Sequence, residues 1–176
     1  GLKLVELYTN TSGYDLMAMV GGILGVGATS TITPEQRAEW KAEQAAKEQA
    51  EIQAKLQTQN TTANQAAERW NNASMTGQSD YLTRKQVMPF TARFDGNNLL
   101  IPIIALIDNQ QVIRNIQTIT NDGSKMFMAG GQVKGCYCPI GMDAQFVSPT
   151  VILICEGWAT GVSIYLAVNQ SIPVFV

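Results

Sequence analysis

At 176 residues and 45% hydrophobic, the chain can bury a core and fits one domain or two small ones. The complete lack of histidine excludes Cys/His zinc sites and Ser-His or Cys-His catalysis within the chain. A net charge of −2 excludes a generally basic nucleic-acid binder.

The first predicted element is a short helix within residues 1–28, where Leu16, Met19, Val20, Ile23 and Leu24 recur at helical spacing after Ser12-Gly13. Gly25-Val26-Gly27 is expected to end it. The run from Leu16 to Ala28 holds four glycines and falls short of a membrane span. Gly1-Leu2 lacks the basic start of a secretory signal, and three cysteines fit a reducing compartment, so the expected location is cytoplasmic with no membrane partner.

Thr33-Pro34-Glu35-Gln36 marks a helix start: Thr33 caps, Pro34 suits the first turn, and Gln36 stands where a capping-box partner belongs. The Ala/Glu/Gln/Lys-rich stretch that follows is expected to run to about Gln57. Its thin apolar face of Trp40, Ile52 and Leu56 reads as a solvated connecting helix, since no a/d heptad persists for a coiled coil. Asn60-Thr61-Thr62 is expected to break it before a second helix carrying Ala66, Ala67 and Trp70.

After Asp80 the pattern changes to strands. Leu99 to Leu106 reads as one, with Pro102 implying an edge or a bulge. Asp108-Asn109 supplies a turn, Val112 to Thr120 a returning strand, and Asn121-Asp122-Gly123 another turn. Met126-Phe127-Met128 and Cys136-Tyr137-Cys138 complete an expected antiparallel meander, with Cys136 and Cys138 as small side chains on one strand face. Val151 to Cys155, a helix over about Ala159 to Val168, and Val174 to Val176 form a β-α-β unit, which calls for parallel strands.

Charge is unevenly spread. Glu35, Glu39, Glu43, Glu48 and Glu51 crowd the early helix, whereas Arg84, Lys85, Arg93, Arg114, Lys125 and Lys134 outnumber Asp95, Asp108 and Asp122 further on. The later half can therefore present a positive face. At Cys155-Glu156-Gly157 a lone carboxylate ends a strand, at the edge where open α/β sheets bind ligands. On spacing alone, Glu156 equally reads as an acid favouring the N-terminus of the next helix. Lys125 alone reads as a turn lysine, and Arg84-Lys85 as a surface pair.

Glu156-Gly157 with Ala159-Thr160-Gly161-x-Ser163 resembles the first motif of the TOPRIM domain shared by primases and topoisomerases. Upstream, Tyr81-Leu82-x-x-Lys85, Leu99 to Ile103, Asp108, Asn121 to Lys125 and Gly130-Gly131-x-x-x-Gly135 follow the order of plasmid- and phage-type DNA primases. The resemblance covers most of the chain and is specific as a set. It implies an α+β chain: a helical linker (1–78), a basic antiparallel β subdomain (79–147) and the start of a truncated TOPRIM domain (148–176). The implied activity is template-directed synthesis of RNA primers from nucleoside triphosphates on single-stranded DNA, with a replicative helicase as a further partner.

By the same resemblance Glu156 is a catalytic residue and a ligand for Mg²⁺ or Mn²⁺, and Lys125 sits in a cleft contacting nucleotide or template phosphate. Arg84 or Lys85 matches a basic position before the meander; Arg93, Arg114 and Lys134 have a charge-based case. Where replicative primases carry an arginine, this chain has Gln117 or Thr118. The family's Asp-x-Asp, which completes the metal site, has no counterpart in this sequence, and zinc belongs to a domain these residues do not include. The 176 residues alone are therefore expected neither to bind Mg²⁺ tightly nor to make primers. Two other readings stay open: a single-strand-binding or helicase-tethering module without catalysis, and a TOPRIM nuclease or topoisomerase, which the upstream meander disfavours.

Overall fold

The computed structural model describes residues 13–24, 33–142 and 149–176. They divide into two compact units, Gly1–Ala50 and Glu51–Val176. In the first, helix α1 (Gly13–Ile23) buries Leu16, and Asp15 pairs with Arg37 at 3.2 Å. The expected stop at Gly25-Val26-Gly27 lies outside the described residues.

Helix α2 (Pro34–Asn72) starts at the foreseen capping box. The Gln36 N–H donates to Thr33 Oγ1 (3.3 Å) and the Thr33 N–H donates to Gln36 Oε1 (3.1 Å), so two orphan donors are satisfied reciprocally. The expected break at Asn60-Thr61-Thr62 does not occur. Thr58 and Thr61 turn their hydroxyls back onto the carbonyls of Ala54 and Gln57 at 2.9 and 3.0 Å, instead of competing for backbone N–H groups. Thr62, Ala63 and Ala66 are buried, and the Thr62 hydroxyl donates to the Ala129 carbonyl at 3.2 Å. Burying this face outweighs weak local propensity.

In the second unit, β1 (Arg93–Asp95), β2 (Asn98–Ile107), β3 (Gln110–Ile119) and β4 (Lys125–Phe127) form an antiparallel sheet in that order. The two central strands meet through Asp108-Asn109, both at positive φ (49° and 61°), as a two-residue hairpin of primed type requires. A short helix, α3 (Asp80–Lys85), precedes the sheet.

β2 is apolar almost throughout because both of its faces are covered. Leu100 packs with Ile116 and with Ala66 of α2, whereas Leu99 and Ile101 join Ile119 in a larger core with Trp158, Val162 and Tyr165. Pro102 sits just past the end of the β1 ladder and next to a register shift between Ile103 and Ile104, which meets the expectation of a bulge.

The meander is shorter than expected. Cys136-Tyr137-Cys138 is not one of its strands: only Tyr137 bridges to Ile104. Cys138 instead exchanges backbone hydrogen bonds with Val176 (2.8 and 3.1 Å), leading into β5 (Pro139–Ile140) of a second sheet. There β7 (Val174–Phe175) is central, antiparallel to β5 and parallel to β6 (Leu153–Ile154), in the order β5-β7-β6. Helix α4 (Trp158–Ala167) connects β6 to β7, so the expected β-α-β unit is present. Its first strand is only Leu153–Ile154, the length of the β7 ladder it pairs with, and Val151, Ile152 and Ile154 on that edge are exposed.

Gly161 explains how α4 lies so close to this sheet. A Cβ there would stand 2.7 Å from Val176 Cγ2 and 2.8 Å from Ile140 Cδ1. A glycine at 161 is thus a packing requirement of the fold. One core cluster runs from Tyr81 to Val174, so residues after 79 and after 148 share it. Among the described residues, no helix is long and apolar enough to cross a membrane.

Of the three cysteines, Cys138 is fully buried, and burial pushes its thiol up to about 12. Burial also raises Cys136 and Cys155. A thiol that ionises less readily when folded binds more protons than in the unfolded chain. Stability is therefore complete below the ordinary thiol pKa and declines as pH rises from about 9 toward 12. At pH 8, alkylation is expected to reach Cys136 and Cys155 while Cys138 reacts only on unfolding. Equal labelling rates of all three in the native protein would contradict this placement.

Candidate functional site

Glu156 follows the carboxyl end of β6, one residue before Gly157, which caps α4 in an extended conformation (φ −120°, ψ 134°). Gly157 supplies no side-chain cap, so the first-turn N–H groups of α4 have no side-chain acceptor at the N-cap. The Glu156 carboxylate stands exposed beside that helix end. It also lines a cleft, so the electrostatic and the catalytic readings of Glu156 are geometrically compatible.

The other wall comes from the four-stranded sheet. Lys125 pairs with Ile119 and Phe127 with Gln117 across β4 and β3. Side chains alternate along a strand, so Lys125, Phe127 and Gln117 share the face on which Ile119 meets the larger core. That face continues outward, past the core, to the α4 N-terminus. The result is an open cleft of about 500 Å³ lined by Gln117, Lys125, Phe127, Glu156, Gly157 and Thr160. Residues far apart in sequence thus bring one cation and one carboxylate into a single cleft, and neither is held in an ion pair among the described residues.

The turn before β4 is stiffly built. Asp122 accepts from the Thr120 hydroxyl, from the Ser124 N–H (3.0 Å) and from the Ser124 hydroxyl (3.0 Å). The Thr120 hydroxyl, first of these donors, and then the Ser124 groups hold its carboxyl down to about 2. Asn121 ties the turn to the start of α3, accepting from the Asp80 N–H (3.0 Å) and donating to Asp80 Oδ2 (3.0 Å). Arg84 donates to the Asn121 carbonyl. The backbone leading to Lys125 is therefore fixed from two sides.

The remaining basic residues lie elsewhere. Arg84 braces the turn without lining the cleft, and Lys85 is exposed at the end of α3. Arg93 pairs with Leu100 and so sits on the α2 face, opposite the cleft wall; its guanidinium lies 4.5 Å from the Trp70 ring centroid and donates to the Trp70 carbonyl at 2.6 Å. Arg114 donates to Asn60 (2.9 Å) and Gln132 (3.1 Å), next to a shallow groove between α2 and β3. Lys134 is exposed outside the cleft. Of the basic residues singled out by sequence, only Lys125 lines the same cleft as Glu156.

Phe127 and Thr160 are cleft residues that sequence reasoning did not single out as site residues. The available signal for Phe127 was its i, i+2 spacing from Lys125 on a strand. The donor set also bears on whether the cleft can hold a divalent metal. Mg²⁺ is held through one or two carboxylates together with substrate phosphates and waters. Among the described residues, no group of three or more acidic, cysteine or histidine side chains converges, and Glu156 is the one carboxylate lining the cleft. These residues do not make a metal site by themselves. Compared with protein-family models, curated proteins and solved structures, the chain matches none.

Proposed function

We propose that this chain is the central part of a plasmid- or phage-type DNA primase, which lays RNA primers on single-stranded DNA. One observation carries the reading: Lys125, on β4, and Glu156, just past β6, line one open cleft. The resemblance of Glu156-Gly157 and Asp122-Gly123-Ser124-Lys125 to the primase pattern gives that pairing its chemical sense.

In the proposed reaction a 3′-hydroxyl oxygen forms a bond to the α-phosphorus of an incoming triphosphate. The α–β phosphoanhydride bond breaks and pyrophosphate leaves with its electron pair. Glu156 accepts the hydroxyl proton, and Lys125 offsets phosphate charge as the new bond forms. Asp122 and Asn121 act through Lys125 by holding the turn that presents it. Within this proposal the chain works in the cytoplasm of a cell replicating plasmid or phage DNA. Its partners are template strand, triphosphates and a helicase.

Single-stranded DNA binding tests the cleft directly. Affinity should fall with salt, and Lys125→Ala should weaken it about five- to tenfold near ~50 mM salt. Loss of one phosphate contact should also reduce the slope of log K against log salt by about 0.7. Unchanged affinity and slope in Lys125→Ala would remove the cleft from the proposal.

A further inference from the structure

The primase reading leaves Phe127 without a role, and its surroundings are unusual for a phenylalanine. Phe94 is buried, Phe90 meets Tyr165 edge-on at 5.4 Å, and Phe175 stacks on Tyr137 at 4.6 Å. Phe127 packs against no other ring among the described residues and is 44% exposed, on an edge strand, in a cleft otherwise lined by polar groups and glycine. Leaving an aromatic face in water has no packing benefit. A flat π-surface beside a cation suits a ligand that carries both a ring and a negative charge.

We infer that Phe127 is a stacking platform for a nucleobase, with Lys125 on the adjoining phosphate and the Gln117 amide at the base edge. The inference rests on the reading of this cleft as a nucleic-acid site, and it names the unit recognised: a nucleotide, within a single strand or free. Geometry supports each part. Lys125 and Phe127 lie two residues apart on one strand face, about 6.6 Å along the chain. Gln117 stands directly across from Phe127, with Cβ atoms about 5 Å apart in such pairs, and its amide offers both a donor and an acceptor. A stack on a ring is tolerant of base identity, so the platform accepts any base.

The test compares a fluorescent oligothymidylate with an abasic strand of equal length and charge. Phe127→Ala should weaken the thymidylate strand about tenfold, within the range of ~5- to 150-fold that loss of one stacked base produces, and leave the abasic strand within about twofold. Phe127→Tyr should restore binding, whereas Phe127→Leu, which keeps apolar bulk without a π-face, should not. Equal weakening of both strands overturns the platform, as does full binding by the Leu variant, or no weakening of either strand together with unchanged ATP binding. Equilibrium dialysis of ATP separates the two sources of the nucleotide: a loss confined to the strand assigns the site to template, and a loss confined to ATP assigns it to incoming nucleotide. The two failures are distinguishable: strand and ATP binding that are unchanged in Phe127→Ala but weakened in Lys125→Ala overturn the platform alone, whereas binding that Lys125→Ala leaves unchanged removes the cleft reading on which it rests.

Discussion

Replacing Glu156 by Gln in the complete polypeptide that carries these residues is expected to cut template-directed primer synthesis by about 100-fold or more. Gln keeps the size and the polar end of the side chain but cannot accept a proton from the attacking hydroxyl. Binding should respond differently. Glu156 is a negative charge in the cleft proposed to hold phosphate, so its removal should leave single-strand affinity the same or slightly tighter. A drop in synthesis with affinity preserved is the signature of a group used in the transition state. Synthesis within tenfold of the parent would confine Glu156 to its other position-dependent effect, favourable charge at the α4 N-terminus, and would end the catalytic assignment.

Trp158→Ala should be the most destabilising single change, costing about 3–5 kcal/mol. Trp158 is the first residue of α4 and only 1% exposed, packed into the core that contains Leu99, Ile119, Ile140 and Val162. Its truncation leaves a large cavity under the helix end that carries Gly157 and Glu156. Trp158→Phe should cost much less. It keeps most of the ring and removes the indole N–H, which is buried without a hydrogen-bond partner among the described residues. Denaturant titrations with unchanged m-values would measure both. If Ala and Phe variants lost equal stability, the polar tip would matter more than the volume, contrary to this packing.

Several parts of the molecule were legible in the residues. The capping box at Thr33 and Gln36, the hairpin at Asp108-Asn109 and the β-α-β unit around α4 follow from short-range chemistry, and each is present. The α+β class was legible too, because periodicity changes after Asp80. The helix break at Asn60-Thr61-Thr62 was misjudged. Those residues are poor helix formers alone; Asn60 and Thr61 stay exposed, and burial of Thr62 with Ala63 and Ala66 keeps α2 continuous. Cys136-Tyr137-Cys138 was misjudged for a related reason. Its spacing suits a strand in either sheet, and the partner is chosen by where Val176 lies.

For the site, sequence determined the carboxylate just past β6 and the turn that leads into Lys125, since both depend on neighbours within a few residues. It could not separate Lys125 from Arg93 or Arg114, because all three are cations in strands of similar pattern. Only the tertiary structure decided that. Register on the sheet turns Arg93 toward α2, and Arg114 is taken up by Asn60 and Gln132. Lys125 is left on the opposite face with Phe127, in the cleft with Glu156. A one-residue alternation sends neighbouring side chains to opposite faces, and what covers each face is set by elements distant in the chain.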